Sequence, residues 1–128
     1  MPFWFGKGRK KNAAKDIVKH WEKSQVSNIA NELVKIIPNQ VPFLREVASS
    51  SLAGIINKNL SFSVLEPEEI SGNLYHITDI VKVKVGPGIP FIGKQFSVSM
   101  NYSIKVDVKV KKIVEAKPDL SSVKIDFV

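Results

Sequence analysis

The chain divides into two regimes of hydrophobic spacing, helical upstream of Leu60 and alternating from there on. From Phe96 to Val110 every second residue is large and apolar: Phe96, Val98, Met100, Tyr102, Ile104, Val106, Val108 and Val110. Ser97, Ser99, Asn101, Ser103, Lys105, Asp107 and Lys109 fill the positions between. Successive side chains of a strand point to opposite faces, so this spacing predicts one strand with an apolar and a polar side. At ~3.3 Å per residue it would run about 50 Å, roughly three times a common strand. So long an apolar face must be covered, and what covers it sets the functional question.

Upstream, Ala14, Ile17, Val18 and Trp21 form one helical stripe, and Val26, Ile29, Leu33 and Ile36 form another. The stripes do not join smoothly across Glu22–Gln25, so one helix over 13–37 is expected, with a bend near Ser24. Asn12 suits its N-cap, Asp16 its first turn and Pro38 its end. A second helix fits 42–58, with Pro42 in the first turn and Phe43, Leu44, Val47, Ala48, Leu52, Ile55 and Ile56 at helical spacing. Its remaining residues, Ser49, Ser50, Ser51, Ala53 and Gly54, are small. They fit either close approach of another backbone or a solvent-facing serine side.

Phe62 and Val64 mark a short strand closed by the acidic turn Glu66-Pro67-Glu68-Glu69. A second strand runs from Asn73 to Val85, with Val81, Val83 and Val85 on one face and Lys82 and Lys84 on the other. The segment 86–93 leads into the long strand. Lys117-Pro118-Asp119 reads as the next turn, and Val123, Ile125 and Phe127 as a last strand. The fold class is therefore α+β: two N-terminal helices packed on a four-stranded antiparallel meander with one very long, curved strand. This order resembles cystatin-type folds and one lobe of the tubular lipid-binding proteins, in architecture alone. The second helix spans roughly 25 Å and the first about 37 Å. Together they complete the core; a first helix lying instead on a membrane or partner would leave an apolar groove. Asp79 interrupts the pattern, because alternation with Val81 and Val83 places it on the core face. Pairing Val85 with Phe96 would set it opposite Tyr102; a bulge at Thr78–Ile80 turning it outward is the expectation.

The chain of 128 residues fits a basic, aromatic, mobile arm over 1–11 and a single domain over 12–128. It has no cysteine, which excludes disulfides, thiol nucleophiles and zinc–thiolate sites. The net charge of +7 is unevenly placed. Residues 1–23 carry seven Lys or Arg against Asp16 and Glu22, a balance of +5, which leaves +2 for the rest. That imbalance implies an anionic partner for the N-terminal end. No stretch reaches the ~20 apolar residues of a membrane span. Basic residues follow Phe3-Trp4-Phe5 where a signal peptide needs an apolar run.

Catalytic signals are poor. His20 and His76 lack partners at motif spacing, Glu66, Glu68 and Glu69 fit a solvated turn, and the glycines of 86–93 do not form a phosphate-binding loop. A non-enzyme with no cofactor and no metal is expected. Phe3, Trp4 and Phe5 directly precede Lys7, Arg9, Lys10 and Lys11, a pairing suited to an anionic bilayer surface. Ile89, Phe91 and Ile92 form a second apolar projection. The leading expectation is a cytoplasmic binding module working at the membrane surface, with lipid or another apolar ligand between sheet and helices. The alternative is a protein-interaction or assembly subunit, a homo-oligomer included. The further alternative is a nucleic-acid binder using Lys82, Lys84, Lys105, Lys109 and Lys111 on one sheet face.

Overall fold

The computed structural model describes residues 3–40, 49–85 and 96–127, with side chains for 8–39, 52–85 and 96–126. The chain is α+β: helices α1 (Phe3–Gln40) and α2 (Ser49–Asn59), then strands β1 (Leu60–Val64), β2 (Glu68–Ser71), β3 (Leu74–Val85), β4 (Phe96–Asp107) and β5 (Lys112–Phe127). All pairings are antiparallel. The sheet order is β1-β3-β4-β5, and β2 lies on the same edge of β3 as β1.

Alternation sets the sheet. β3 and β4 pair without interruption from Leu74–Asp107 to Val85–Phe96, so their apolar positions share one face. Tyr75, Ile77, Val81, Val83 and Val85 join Phe96, Val98, Met100, Tyr102, Ile104 and Val106 in the buried cluster. α1 adds Ala14, Val18, Ile29, Ala30, Leu33 and Ile37, and α2 adds Leu52 and Ile56. α1 packs on β1, β3, β4 and β5, and α2 on α1 and β3.

Four boundaries differ from those the sequence predicts. α1 begins at Phe3, not at Asn12, and continues two residues beyond Pro38. The acidic stretch is not all turn: Leu65, Glu66 and Pro67 form the connection, while Glu68 to Ser71 pair with β3 through the turn at Gly72 and Asn73. Gly72 adopts φ of 36°, a left-handed conformation that costs glycine little. The long strand ends at Asp107, because Asp107 Oδ1 accepts hydrogen bonds from the N–H groups of Lys109 and Val110 and closes a turn there. Val108 still packs against the core and donates its N–H to the Asn73 carbonyl at 2.9 Å, whereas Val110 is 58% exposed.

The turn expected at Lys117-Pro118-Asp119 is instead part of β5. The β4–β5 register shifts between Ser99–Lys124 and Asn101–Asp119, so the residues between bulge out. Asp119 Oδ1 accepts from Ser121 N–H, and Asn101 N–H donates to Ser122 Oγ at 2.8 Å, which holds the bulge against β4. The described part of the second helix starts at Ser49; 42–48 lie outside the described residues. Gly54 is exposed and no atom approaches its Cβ position, which favours the solvent-facing reading at that residue.

Candidate functional site

Two places combine charge with position. The first is the N-terminal end of α1. Its first buried side chain among the described ones is Ala14, so the described side chains before it lie outside the core. Lys10 Nζ donates to the Gly72 carbonyl at 3.2 Å. Lys11 and Lys15 reach Glu66 at 3.5 and 3.1 Å, tying this end of α1 to the β1–β2 connection. Lys15 foremost, then Lys11, holds the Glu66 carboxyl below its ordinary pKa. Arg9, Lys19 and Lys23 remain exposed, as do Asp16 and His20.

Of the predicted contact residues, Phe3, Trp4, Phe5 and Lys7 fall in the first two turns of α1, without described side chains. Arg9 is exposed, while Lys10 and Lys11 are partly engaged by the fold. Ile89, Phe91 and Ile92 lie outside the described residues. Among the described residues no helix is long and apolar enough to cross a membrane.

The second place was missed as a unit. Asp79 does not turn outward: β3 carries no bulge against β4, and Asp79 faces the core at 0% exposure. Its cross-strand neighbours are Val64 on β1 and Tyr102 on β4. Facing it from α1 is Glu22, whose carboxyl is within hydrogen-bonding reach. Glu22 falls on the helical stripe Ala14, Val18, Ile29, Leu33 and Ile37, at the break between its two halves. Each element therefore places one acid in the middle of its core-facing stripe, and the two acids meet. Burial first, and Glu22 second, pushes the Asp79 carboxyl up to about 9. Neither Asp79 oxygen nor Glu22 Oε2 has a hydrogen-bond donor, and among the described residues no cation pairs with either acid.

Trp21 packs edge-on against Tyr102, with ring centroids 5.3 Å apart. Both rings form part of an open cleft of about 610 Å³ between the later half of α1 and β4–β5. Gln25, Asn28, Glu32 and Lys35 supply its polar wall, and Ile29, Ala116 and Pro118 part of its apolar one. Asn28 donates to Gln25, and Lys35 lies 3.8 Å from Glu32, so these groups satisfy one another.

On the other sheet face His76 Nε2 and Ser103 Oγ form a hydrogen bond of 2.7 Å, open to solvent. The expected lysine row there is interrupted. Lys109 and Lys111 sit in the β4–β5 turn, and Lys105 pairs with Glu115 at 3.3 Å. Lys117 and then Lys105 hold the Glu115 carboxyl below its ordinary pKa, and Glu115 in turn raises Lys117. No protein-family model matches the chain, and no curated protein or solved structure matches it either.

Proposed function

We propose that this chain is a non-catalytic, cytoplasmic binding module that docks on an anionic membrane surface through the N-terminal end of α1. One observation carries the reading: α1 is continuous from Phe3 to Gln40, yet among its described side chains none before Ala14 is buried. The turns that hold Phe3, Trp4, Phe5, Lys7, Arg9, Lys10 and Lys11 are thus fixed to the domain as helix, and the described Arg9, Lys10 and Lys11 lie outside its buried core. A basic helical end with aromatic residues suits the headgroup–acyl boundary, and each Lys or Arg near an anionic surface adds about 1 kcal/mol. Lys10 and Lys11 already contact Gly72 and Glu66, so Lys7 and Arg9 carry more of the attraction. The proposal is for surface docking, because side chains of α1 and α2 already share the core cluster with the sheet.

Vesicle flotation tests it. Full-length protein and a chain lacking residues 1–11 are compared on anionic and neutral vesicles, at low and high salt. The full chain should float with anionic vesicles only, release at high salt, and lose binding on the order of 100-fold or more without residues 1–11. Absence of binding by the full chain overturns the reading. So does binding that survives the deletion, which would place the contact elsewhere. A nucleic acid that competes off the vesicle-bound protein at equal charge concentration would favour the phosphate-binding alternative.

A further inference from the structure

The Glu22–Asp79 pair takes no part in membrane docking by the N-terminal end of α1, and its chemistry is independent of it. An ionised carboxylate only accepts hydrogen bonds, so two carboxyls can bond to each other only while one carries a proton. The other groups facing Asp79 give it no hydrogen bond. α1 presents Glu22; β1 presents Val64; β4 presents Tyr102; along β3 its same-face neighbours are Ile77 and Val81. Tyr102 is the other titratable group at this spot, and burial together with Glu32 keeps its phenol protonated. No hydrogen bond links that phenol to Asp79, whose two oxygens are both without a donor.

We propose that Glu22 and Asp79 share one proton that latches the middle of α1 onto the sheet, and that its loss releases this stretch of helix while both ends stay packed. The geometry on either side supports local release. Ala14 and Val18 anchor the helix before the acid, and Ile29, Leu33 and Ile37 anchor it after. Between them no residue of α1 is fully buried; Trp21, Glu22 and Gln25 are half-buried, and Lys23 and Ser24 are exposed. Two like charges brought together away from water repel strongly, and the cheapest relief is to lift the weakly packed stretch until water reaches both. Trp21 then separates from Tyr102.

Trp4 and Trp21 are the two tryptophans, so Trp4→Phe leaves Trp21 as the sole reporter. In that background Trp21 emission is followed from about pH 6 to about pH 10, with the infrared carbonyl band of a protonated carboxylic acid recorded alongside. Emission should shift to the red in one transition as the acid band disappears, with the anchors at Val18 and Leu33 keeping slow amide exchange. Asp79→Asn should remove the band and the transition. Glu22→Gln donates an amide N–H to Asp79 and should move the transition by at least about one pH unit. Asp16→Asn, at an exposed acid of the same helix, should change neither. Tyrosine and lysine deprotonation near the alkaline end is common to every variant and cancels in the comparison. A wild type without the acid band at neutral pH overturns the latch, as does a transition that Asp79→Asn leaves in place. Should Asp79→Asn fail to fold, the infrared band in the wild type and the Glu22→Gln midpoint decide the matter alone.

Discussion

A buried polar atom without a partner carries a desolvation penalty that a single substitution can relieve. Tyr75 is 1% exposed and its hydroxyl has no hydrogen-bond partner. Burial, with Glu69 second, holds that phenol above its ordinary pKa. Tyr75→Phe keeps the ring and deletes the orphaned oxygen, so stability should rise by about 1 kcal/mol in urea unfolding. A loss of similar size would mean that the hydroxyl is satisfied after all. Asp79 makes the same point with charge. Its folded-state pKa stands above its unfolded value of 3.8 and near 9, so the folded state binds more protons between these limits. Stability is then greatest below the lower value and falls as pH rises through the upper one. Asp79→Asn should flatten that slope and stabilise the protein at pH 8, which thermal unfolding at several pH values would read. Alternation along β3 and the Val85–Phe96 pairing made the position of Asp79 opposite Tyr102 legible from sequence alone. Its inward orientation was not, because a buried acid is unfavourable until its partner is known. That partner, Glu22, was visible only as a gap between two apolar stripes 57 residues away.

Elements were legible in kind where one physical signal dominated and misplaced where two competed. β3 and β4 follow strict alternation and match the expected strands over their paired lengths. At the end of β4 the apolar alternation of Val108 and Val110 competed with the turn chemistry of Asp107, and the turn prevailed. Lys111, at φ of 57°, completes that turn in a conformation uncommon for a residue other than glycine. Further along, Pro118 and Asp119 carry an equally strong turn signal, but β5 is an edge strand, where proline removes no ladder bond on its open side. The signal is expressed as a bulge instead, and one hydroxyl ties that bulge to β4. Ser122 Oγ accepts from Asn101 N–H at 2.8 Å and donates to the Asp119 carbonyl. Ser122→Ala removes both contacts and leaves a half-buried N–H unpaired. It should cost about 1–2 kcal/mol and speed exchange of the Asn101 amide, with the β3–β4 amides unaffected. Unchanged exchange at Asn101 would mean that the bulge is held by the backbone ladder alone.

At the scale of the whole molecule, the uneven charge and the uneven burial along α1 coincide. Residues 1–11 carry four basic groups and no acid, so without them the net charge falls from +7 to +3. The same residues bury no described side chain in the core. Asn12, followed by Asp16, offers a ready N-cap and first-turn acid, which is why the sequence signals a helix start there although the helix begins at Phe3. A chain starting at Asn12 loses the Lys10–Gly72 and Lys11–Glu66 contacts, both exposed, and keeps Lys15 on Glu66 at 3.1 Å. Its melting temperature should therefore stay within about 2 °C of the full chain, since exposed ion pairs contribute little. Removing residues 1–18 instead deletes Ala14 and Val18, both fully buried, and loses roughly 2–4 kcal/mol of apolar burial. For a domain of this size that is a fall on the order of 10 °C. Differential scanning calorimetry on the two shortened chains distinguishes an outer helical end from a structural one. If the shorter deletion costs as much as the longer, residues 3–11 belong to the core's support, and the separation between folding and docking along α1 does not hold.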